Sequence, residues 1–242
     1  MYIDNLYFEV TRRCNMKCSH CLRGCAQKVD LTIDVVDRFL RLNEVTSIGR
    51  IGFSGGEPSL NSRVIRETVA LLERLRIGIG SFDITTNGKA KNLDFFLAVA
   101  ELFAYANSSY FEEESSELSI SRSYWHAEQG QDESWIDTLK AFRFTRERSF
   151  LDYDPRFIIS DGRAKRNSLG SRKTDQKATI GANRYRDGRM ELDDSMIYIN
   201  ALGQVCADCD YSYATQKRRA LGDATKDRLI DIAVNHGNVN DL

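Results

Sequence analysis

Three cysteines stand close enough along the chain to hold a metal together. Cys14, Cys18 and Cys21 are spaced C-x3-C-x2-C within Cys14-Asn15-Met16-Lys17-Cys18-Ser19-His20-Cys21. Thiolate sulfur is a soft ligand suited to iron–sulfur clusters and to zinc. Three thiolates can hold three of the four irons of a cubane and leave the fourth iron open to another ligand. Structural zinc prefers four protein ligands, usually as pairs with a longer gap between them. His20 could be a nominal fourth, but beside Cys21 its ring is expected to point away from the metal. Two further stretches could do chemistry. Gly55-Gly56-Glu57-Pro58 offers backbone that a ligand can approach closely, because no Cβ intervenes. In Thr86-Asn87-Gly88, Asn87 could orient a ligand or simply accept a left-handed turn conformation.

The elements around these motifs alternate. Leu6 to Thr11 is rich in aromatic and β-branched residues and reads as a first strand, with the cysteine loop at its C-terminal end. Leu31 to Asn43 reads as a helix, with Val35, Val36, Phe39 and Leu40 on one face and Thr32 as N-cap. Arg50 to Ser54 is a second strand running into the Gly-Gly-Glu-Pro turn, and a helix carrying Val64, Ile65, Val69, Leu72 and Leu75 follows. Ile79 to Thr85 is a third strand, closed by Thr86-Asn87-Gly88, before a helix marked by Leu93, Phe96, Leu97, Ala100 and Phe103. This rhythm predicts parallel βαβ units, whose right-handed crossovers put every strand's C-terminal end on one rim. All three motifs lie at such ends.

Beyond this, Leu118 to Ser121, Arg156 to Ser160 and Met196 to Asn200 are read as the fourth, fifth and sixth strands. Trp135, Ile136, Leu139 and Phe142 mark a helix between the fourth and fifth, and Leu229, Ile230, Ala233 and Val234 mark a terminal one. Glu112-Glu113-Glu114 reads as a solvated loop edge, and the basic stretch 171–190 as a solvated insertion. His126 either faces the pocket or is a partly buried, hydrogen-bonded histidine. None of the three histidines lies in a recognisable Ser/His/Asp or Cys/His arrangement.

Composition narrows the class. A chain of 242 residues, 42% hydrophobic and 29% charged, can bury a substantial single core. A net charge of −1 gives no basic excess to attract nucleic acid or an anionic membrane. No long apolar span or signal pattern is present, so the expectation is a soluble cytoplasmic protein without a membrane partner. Four of the six cysteines fall between positions 14 and 25, which suits metal binding better than a secreted disulfide framework.

The cysteine triplet with His20 before its last member, followed by Gly55-Gly56-Glu57-Pro58 and Thr86-Asn87-Gly88, resembles the radical S-adenosylmethionine superfamily. The resemblance covers most of residues 5–160. It implies an α/β fold, a partial (β/α)6 barrel over residues 1–200, with a short C-terminal extension over 201–242. It also implies a [4Fe-4S] cluster on Cys14, Cys18 and Cys21, with S-adenosyl-L-methionine chelating the open iron. One electron, from a reductant such as flavodoxin or ferredoxin, would cleave the sulfonium C–S bond. The resulting 5′-deoxyadenosyl radical would abstract a substrate hydrogen. By the same resemblance His20 borders the cofactor, Gly55 and Gly56 meet its amino group, Glu57 holds that turn, Asn87 orients it, and Ser121 meets its ribose.

Cys206-Ala207-Asp208-Cys209 is similar to a shortened SPASM or twitch extension of peptide-modifying members. Cys206 and Cys209 would supply two ligands of an auxiliary iron–sulfur cluster or of zinc, fewer than the full pattern needs. The expected substrate is a peptide or protein side chain, with a glycyl-radical activating enzyme or another small-substrate enzyme as the alternative. With almost nothing before the first strand, a peptide substrate would call for a separate leader-binding protein or for recognition by segment 171–190. A non-catalytic iron–sulfur or zinc module is the alternative of another class.

Overall fold

The computed structural model describes residues 1–108, 116–148, 155–174, 178–184, 190–236 and 239–240. Its centre is a sheet of six parallel strands. These are β1 (Tyr2–Thr11), β2 (Ser47–Gly55), β3 (Gly78–Thr86), β4 (Glu117–Ser121), β5 (Thr145–Arg148) and β7 (Met190–Ile199), ordered β7-β1-β2-β3-β4-β5. Helices α1 (Ile33–Leu42), α2 (Ser62–Leu75) and α3 (Leu93–Ser108) supply the crossovers between the first four strands, and α4 (Tyr124–Ala127) and α5 (Glu133–Leu139) lie between β4 and β5. The expected α/β class and parallel βα order are therefore present, as an open sheet. Short strands decorate β7: β6 (Ala182–Arg184) and β8 (Gln204–Cys206) pair with it antiparallel, β9 (Gly222–Asp223) extends β8, and β10 (Val239–Asn240) pairs with β6.

Strand periodicity divides the sheet into two chemically different faces. Leu6, Phe8 and Val10, Ile51 and Phe53, and Phe82 and Ile84 are all buried. They join Phe39, Ile65, Leu72, Phe95 and Val99 of the helices in one apolar cluster, in which the Phe8 ring meets Phe39 edge-on and Phe53 stacked. The alternating residues Tyr7, Ser54, Asp83 and Thr85 face a cavity instead. So the helix-facing residues build the core and the intervening ones are left free for chemistry.

Two expected elements differ. Arg156 to Ser160 is no strand: Pro155–Phe157 is a 3-10 turn, and Ile159 makes only an isolated bridge with Arg172. The fifth parallel strand is Thr145–Arg148, an edge strand with three consecutive exposed residues. The stretch 171–190 is also less free than its composition suggests. Arg172 exchanges backbone hydrogen bonds with Ile158 and Ser160, and Ile180 is fully buried. Lys177, Arg186 and Arg189, together with the acidic run at 112–114, lie outside the described residues. Thr32 does occupy the N-cap of α1, though its side chain makes no capping bond. Among the described residues no helix is long and apolar enough to cross a membrane.

Candidate active site

The C-terminal rim of the sheet encloses a cavity of about 510 Å³. Cys14, Cys18 and Cys21 all line it, as do Gly55 and Gly56. His20, Asn87 and Ser121 border the same space. Glu57 lies just behind it, 1% exposed, where it acts on the site through the backbone it holds.

That backbone is a tie between loops. Glu57 Oε1 accepts from the Thr86 hydroxyl at 2.6 Å and from Ser59 N–H at 3.1 Å, while Oε2 accepts from Asn87 N–H at 2.8 Å. Burial pushes the Glu57 carboxyl up from its ordinary value, and these hydrogen bonds pull against that shift. Asn87 in turn donates from Nδ2 to Asn15 Oδ1 at 2.9 Å and lies 3.9 Å from Cys14 Sγ. The left-handed residue of this turn is Gly88, with φ +64°, so Asn87 is not there to tolerate a turn conformation. One carboxylate thus joins the second and third rim loops, and one amide joins the third to the cysteine loop.

The glycine pair faces a stricter demand than ligand approach. A Cβ on Gly55 would stand 2.3 Å from Thr11 O, and one on Gly56 2.3 Å from Arg13 O. The turn is pressed onto the end of β1 by Gly56 N–H to Thr11 O at 2.7 Å and Glu57 N–H to Arg13 O at 2.8 Å. Gly56→Ala must therefore push the cysteine loop away from the turn. The expected cost is about 2–4 kcal/mol of stability together with loss of iron binding. Chemical denaturation and iron analysis of the reconstituted variant would check both, and a variant that kept its iron would contradict this role.

Burial acts on two of the three thiols. Burial raises the Cys14 thiol, against a hydrogen bond from Met16 N–H at 3.4 Å, and raises Cys18 to about 11. Three soft donors lining one cavity are a set that a metal ion can claim, displacing the protons of Cys14 and Cys18. Three side-chain atoms among the described residues are buried without a hydrogen-bond partner: His20 Nδ1, Asp83 Oδ1 and Arg163 Nε. All three residues line this cavity. A concentration of unmet polar atoms in one place is what a built ligand site leaves behind. The donor set and these atoms fit an iron–sulfur cluster held by the three thiols, with a polar ligand beside it.

The aromatic side of the cavity is assembled from two elements. The His20 ring stacks on Trp125 at 4.3 Å and meets His126 edge-on at 5.2 Å, where Trp125 and His126 belong to the single-turn helix α4 (Tyr124–Ala127). His126 is both things the sequence allowed: it lines the cavity, and its Nδ1 pairs with Ser123 Oγ at 2.6 Å. Burial lowers His126 to about 4. A histidine depressed in the folded state stabilises the fold above its unfolded value of about 6.5, and that contribution is lost as pH falls from there through about 4. Relative to His126→Gln, the wild-type chain should lose on the order of 2 kcal/mol between pH 7 and pH 4. Paired denaturation curves across that range would show the two proteins converging.

Several contributing residues lie outside the sequence motifs. Arg163, in the short helix α6 (Gly162–Arg166), donates its backbone N–H to Cys21 O at 2.9 Å, and a Cβ on Gly162 would meet Leu22 O at 2.1 Å. This segment therefore docks on the cysteine loop from 140 residues away. Tyr7 and Asp83 belong to correctly read strands, and the polar residues interrupting their apolar alternation were the available clue. Cys206 is fully buried in a small cluster with Tyr198 and Tyr211, and Cys209 packs against it while reaching the cavity wall. Burial raises both thiols to about 12. Cys209 Sγ lies within metal-sharing distance of one carboxylate oxygen each from Asp208 and Asp210. Cys25 is exposed and within 3.3 Å of the Arg166 guanidinium, so the structure does not bring it to that pair as a further ligand.

Comparison with known proteins bears on family and fold. Residues 8–111 match the family model of the Radical SAM superfamily. GTP 3′,8-cyclase of Clostridium acetobutylicum is 37% identical over 94 residues, covering 36% of this chain and 28% of that protein. An S-adenosylmethionine-dependent nucleotide dehydratase of Danio rerio is 28% identical over 115 residues, covering 46% of this chain and 32% of that one. The chain therefore spans less than a third of the length of these relatives. Among solved structures, anSMEcpe with bound AdoMet and the Cp18Cys peptide superposes with a TM-score of 0.54 at 12% identity, covering 96% of this chain and 80% of that one. That likeness is one of fold.

Proposed function

From the premise that residues 8–111 are a radical SAM domain, we propose that the chain is an enzyme of that superfamily, acting on hydrogen atoms of a bound substrate. The carrying observation is the meeting of Cys14, Cys18, Cys21 and the Gly55-Gly56 turn on one cavity. Bound there, a [4Fe-4S] cluster and S-adenosylmethionine supply the chemistry: one-electron cleavage of the sulfonium C–S bond, methionine, and a 5′-deoxyadenosyl radical that abstracts hydrogen.

The protein's share is positional. Cys14, Cys18 and Cys21 would hold three of the cluster's irons. The Gly55-Gly56 backbone, held on the end of β1 by the Gly56 and Glu57 N–H groups, would meet the amino group of S-adenosylmethionine through carbonyl oxygens. His20 and Trp125 offer an aromatic wall, and Ser121 a hydroxyl at the strand end. Asn87 keeps the cysteine loop in register with the third rim loop. We take residues 1–200 as the catalytic core and 201–242 as its extension. A flavodoxin- or ferredoxin-class protein in a reducing cytoplasm would deliver the electron.

We assign the substrate to the peptide or protein side-chain class. Its support is the neighbouring fold that was solved with AdoMet and a peptide together. The test is release of 5′-deoxyadenosine by the anaerobically reconstituted chain under reducing conditions. Release that depends on iron and S-adenosylmethionine supports the enzyme reading. A fully loaded cluster giving none would sink it in favour of a non-catalytic module.

A further inference from the structure

Tyr7, Gly52 and Asp83 stand side by side across three strands, since Tyr7 pairs in register with Gly52 and Gly52 with Asp83. All three residues belong to the cavity face of the sheet, and Tyr7 and Asp83 line the cavity itself. The Tyr7 hydroxyl reaches over the middle strand and donates to Asp83 Oδ2 at 3.2 Å. It can do so because position 52 has no side chain: a Cβ there would fall 2.0 Å from Tyr7 Cδ1 and 2.1 Å from Cε1. A glycine inside a strand normally weakens it. Here it makes room for a ring laid flat across the sheet.

The arrangement fixes one carboxylate oxygen and leaves the other. Asp83 Oδ1 is buried and has no hydrogen-bond partner. Burial raises the Asp83 carboxyl and the charges of Arg148 and Arg50 pull against that, but neither guanidinium hydrogen-bonds Oδ1: Arg148 pairs with Glu117 at 2.9 Å, and Arg50 Nε donates to Ser81 Oγ at 3.2 Å. An acceptor held in place, buried and unmet calls for a donor from outside the chain, and a carboxylate is best met by a cationic one. Asp83 lies two residues before Thr85 on the same face, which puts it about 7 Å below the rim where the thiols stand.

Resting on the function proposed above, we infer that Asp83, oriented by Tyr7 across Gly52, is a substrate-binding residue that receives a protonated amino group. The substrate's amine sits at the floor of the cavity and the rest of the molecule projects toward the rim. Amine-bearing substrates, such as a peptide amino terminus or a lysine side chain, fit this floor. A ligand whose buried end is anionic does not.

The test uses n-hexylamine, n-hexanol and hexanoate as probes, titrated calorimetrically into cluster-loaded protein with S-adenosylmethionine present and no reductant. The amine should bind at least about tenfold more tightly than the alcohol, with hexanoate weakest. Asp83→Asn should bring the amine-to-alcohol ratio to about one, and Tyr7→Phe should give an intermediate ratio, with circular dichroism confirming that both variants fold. If Asp83→Asn does not fold, Tyr7→Phe alone still reads the preference. Equal binding of the three probes, no binding, or an amine preference that survives in Asp83→Asn overturns the inference. So does loss of S-adenosylmethionine affinity in Asp83→Asn without any probe, which would give the carboxylate to the cofactor. A wild-type chain that holds neither iron nor S-adenosylmethionine, yet keeps an Asp83-dependent amine preference, would sink the proposed function and leave this inference standing.

Discussion

Replacing Cys14, Cys18 and Cys21 together by alanine is expected to take bound iron from about four atoms per chain to none after anaerobic reconstitution. The expectation follows from convergence of these three thiols on one cavity. Burial holds the Cys14 and Cys18 thiols above their ordinary value, so cluster assembly must displace protons from them. Loading of the wild-type chain should therefore become easier as pH rises from neutrality toward 9. The same variant separates the two cysteine groups. Cys206 is buried with Tyr198 and Tyr211, and Cys209 packs against them at the cavity wall. Iron or zinc that survives in the triple variant would have to sit with them and with Asp208 or Asp210. Iron near four in the wild type and none in the variant leaves that pair a structural role. Zinc in place of iron in both proteins would overturn the cluster assignment altogether.

What could be read from sequence, and what could not, divides along a physical line. The cysteine triplet, the glycine pair and Thr86-Asn87-Gly88 were legible because each is contiguous and each ends an apolar run. Parallel βα order then forces such ends onto one rim. The fifth strand was misplaced for the converse reason. Arg156-Phe157-Ile158-Ile159-Ser160 has a strand's composition, but it begins in a 3-10 turn with Phe157 exposed, and backbone bonds to Arg172, one of them Ser160 N–H to Arg172 O at 2.8 Å, replace a ladder. Thr145-Arg146-Glu147-Arg148 has no apolar alternation, because at the sheet edge it buries little of its own surface. Its charges find partners instead, Arg148 with Glu117 and Lys140 with Glu147. Glycine was legible as special at 55 and 56, but not for the reason expected. The space a Cβ would need is filled by the protein's own β1 end. Arg163 and Asp83 were missed because their meaning depends on which distant segment faces them.

The second large effect concerns a residue far from any motif. Glu9→Ala is expected to cost about 3–5 kcal/mol and to lower Tm on the order of 10 °C. Glu9 is fully buried on β1 and pairs with Arg12 Nε at 2.6 Å, itself 3% exposed. Its oxygens also accept from Gln216 Nε2 at 2.7 Å, Tyr198 Oη at 3.1 Å and Ala201 N–H at 3.1 Å. Arg12 completes the circuit by donating to Gln216 Oε1 at 2.6 Å and Gln27 Oε1 at 3.0 Å. One carboxylate therefore joins the entrance of the cysteine loop to the end of β7 and to helix α7 (Tyr213–Arg219), elements separated by some two hundred residues. Removing it leaves a guanidinium buried beside groups that can no longer all be satisfied, and that uncompensated charge is what makes the loss large. The double variant Glu9→Leu with Arg12→Met should recover part of the stability, because an apolar pair carries no such charge. It should not recover full iron loading, since the tie between the cysteine loop and α7 would still be missing. Denaturation midpoints and iron content of the three proteins would decide this: a single variant as stable as wild type would mean that the network is not what holds α7 to the cysteine loop.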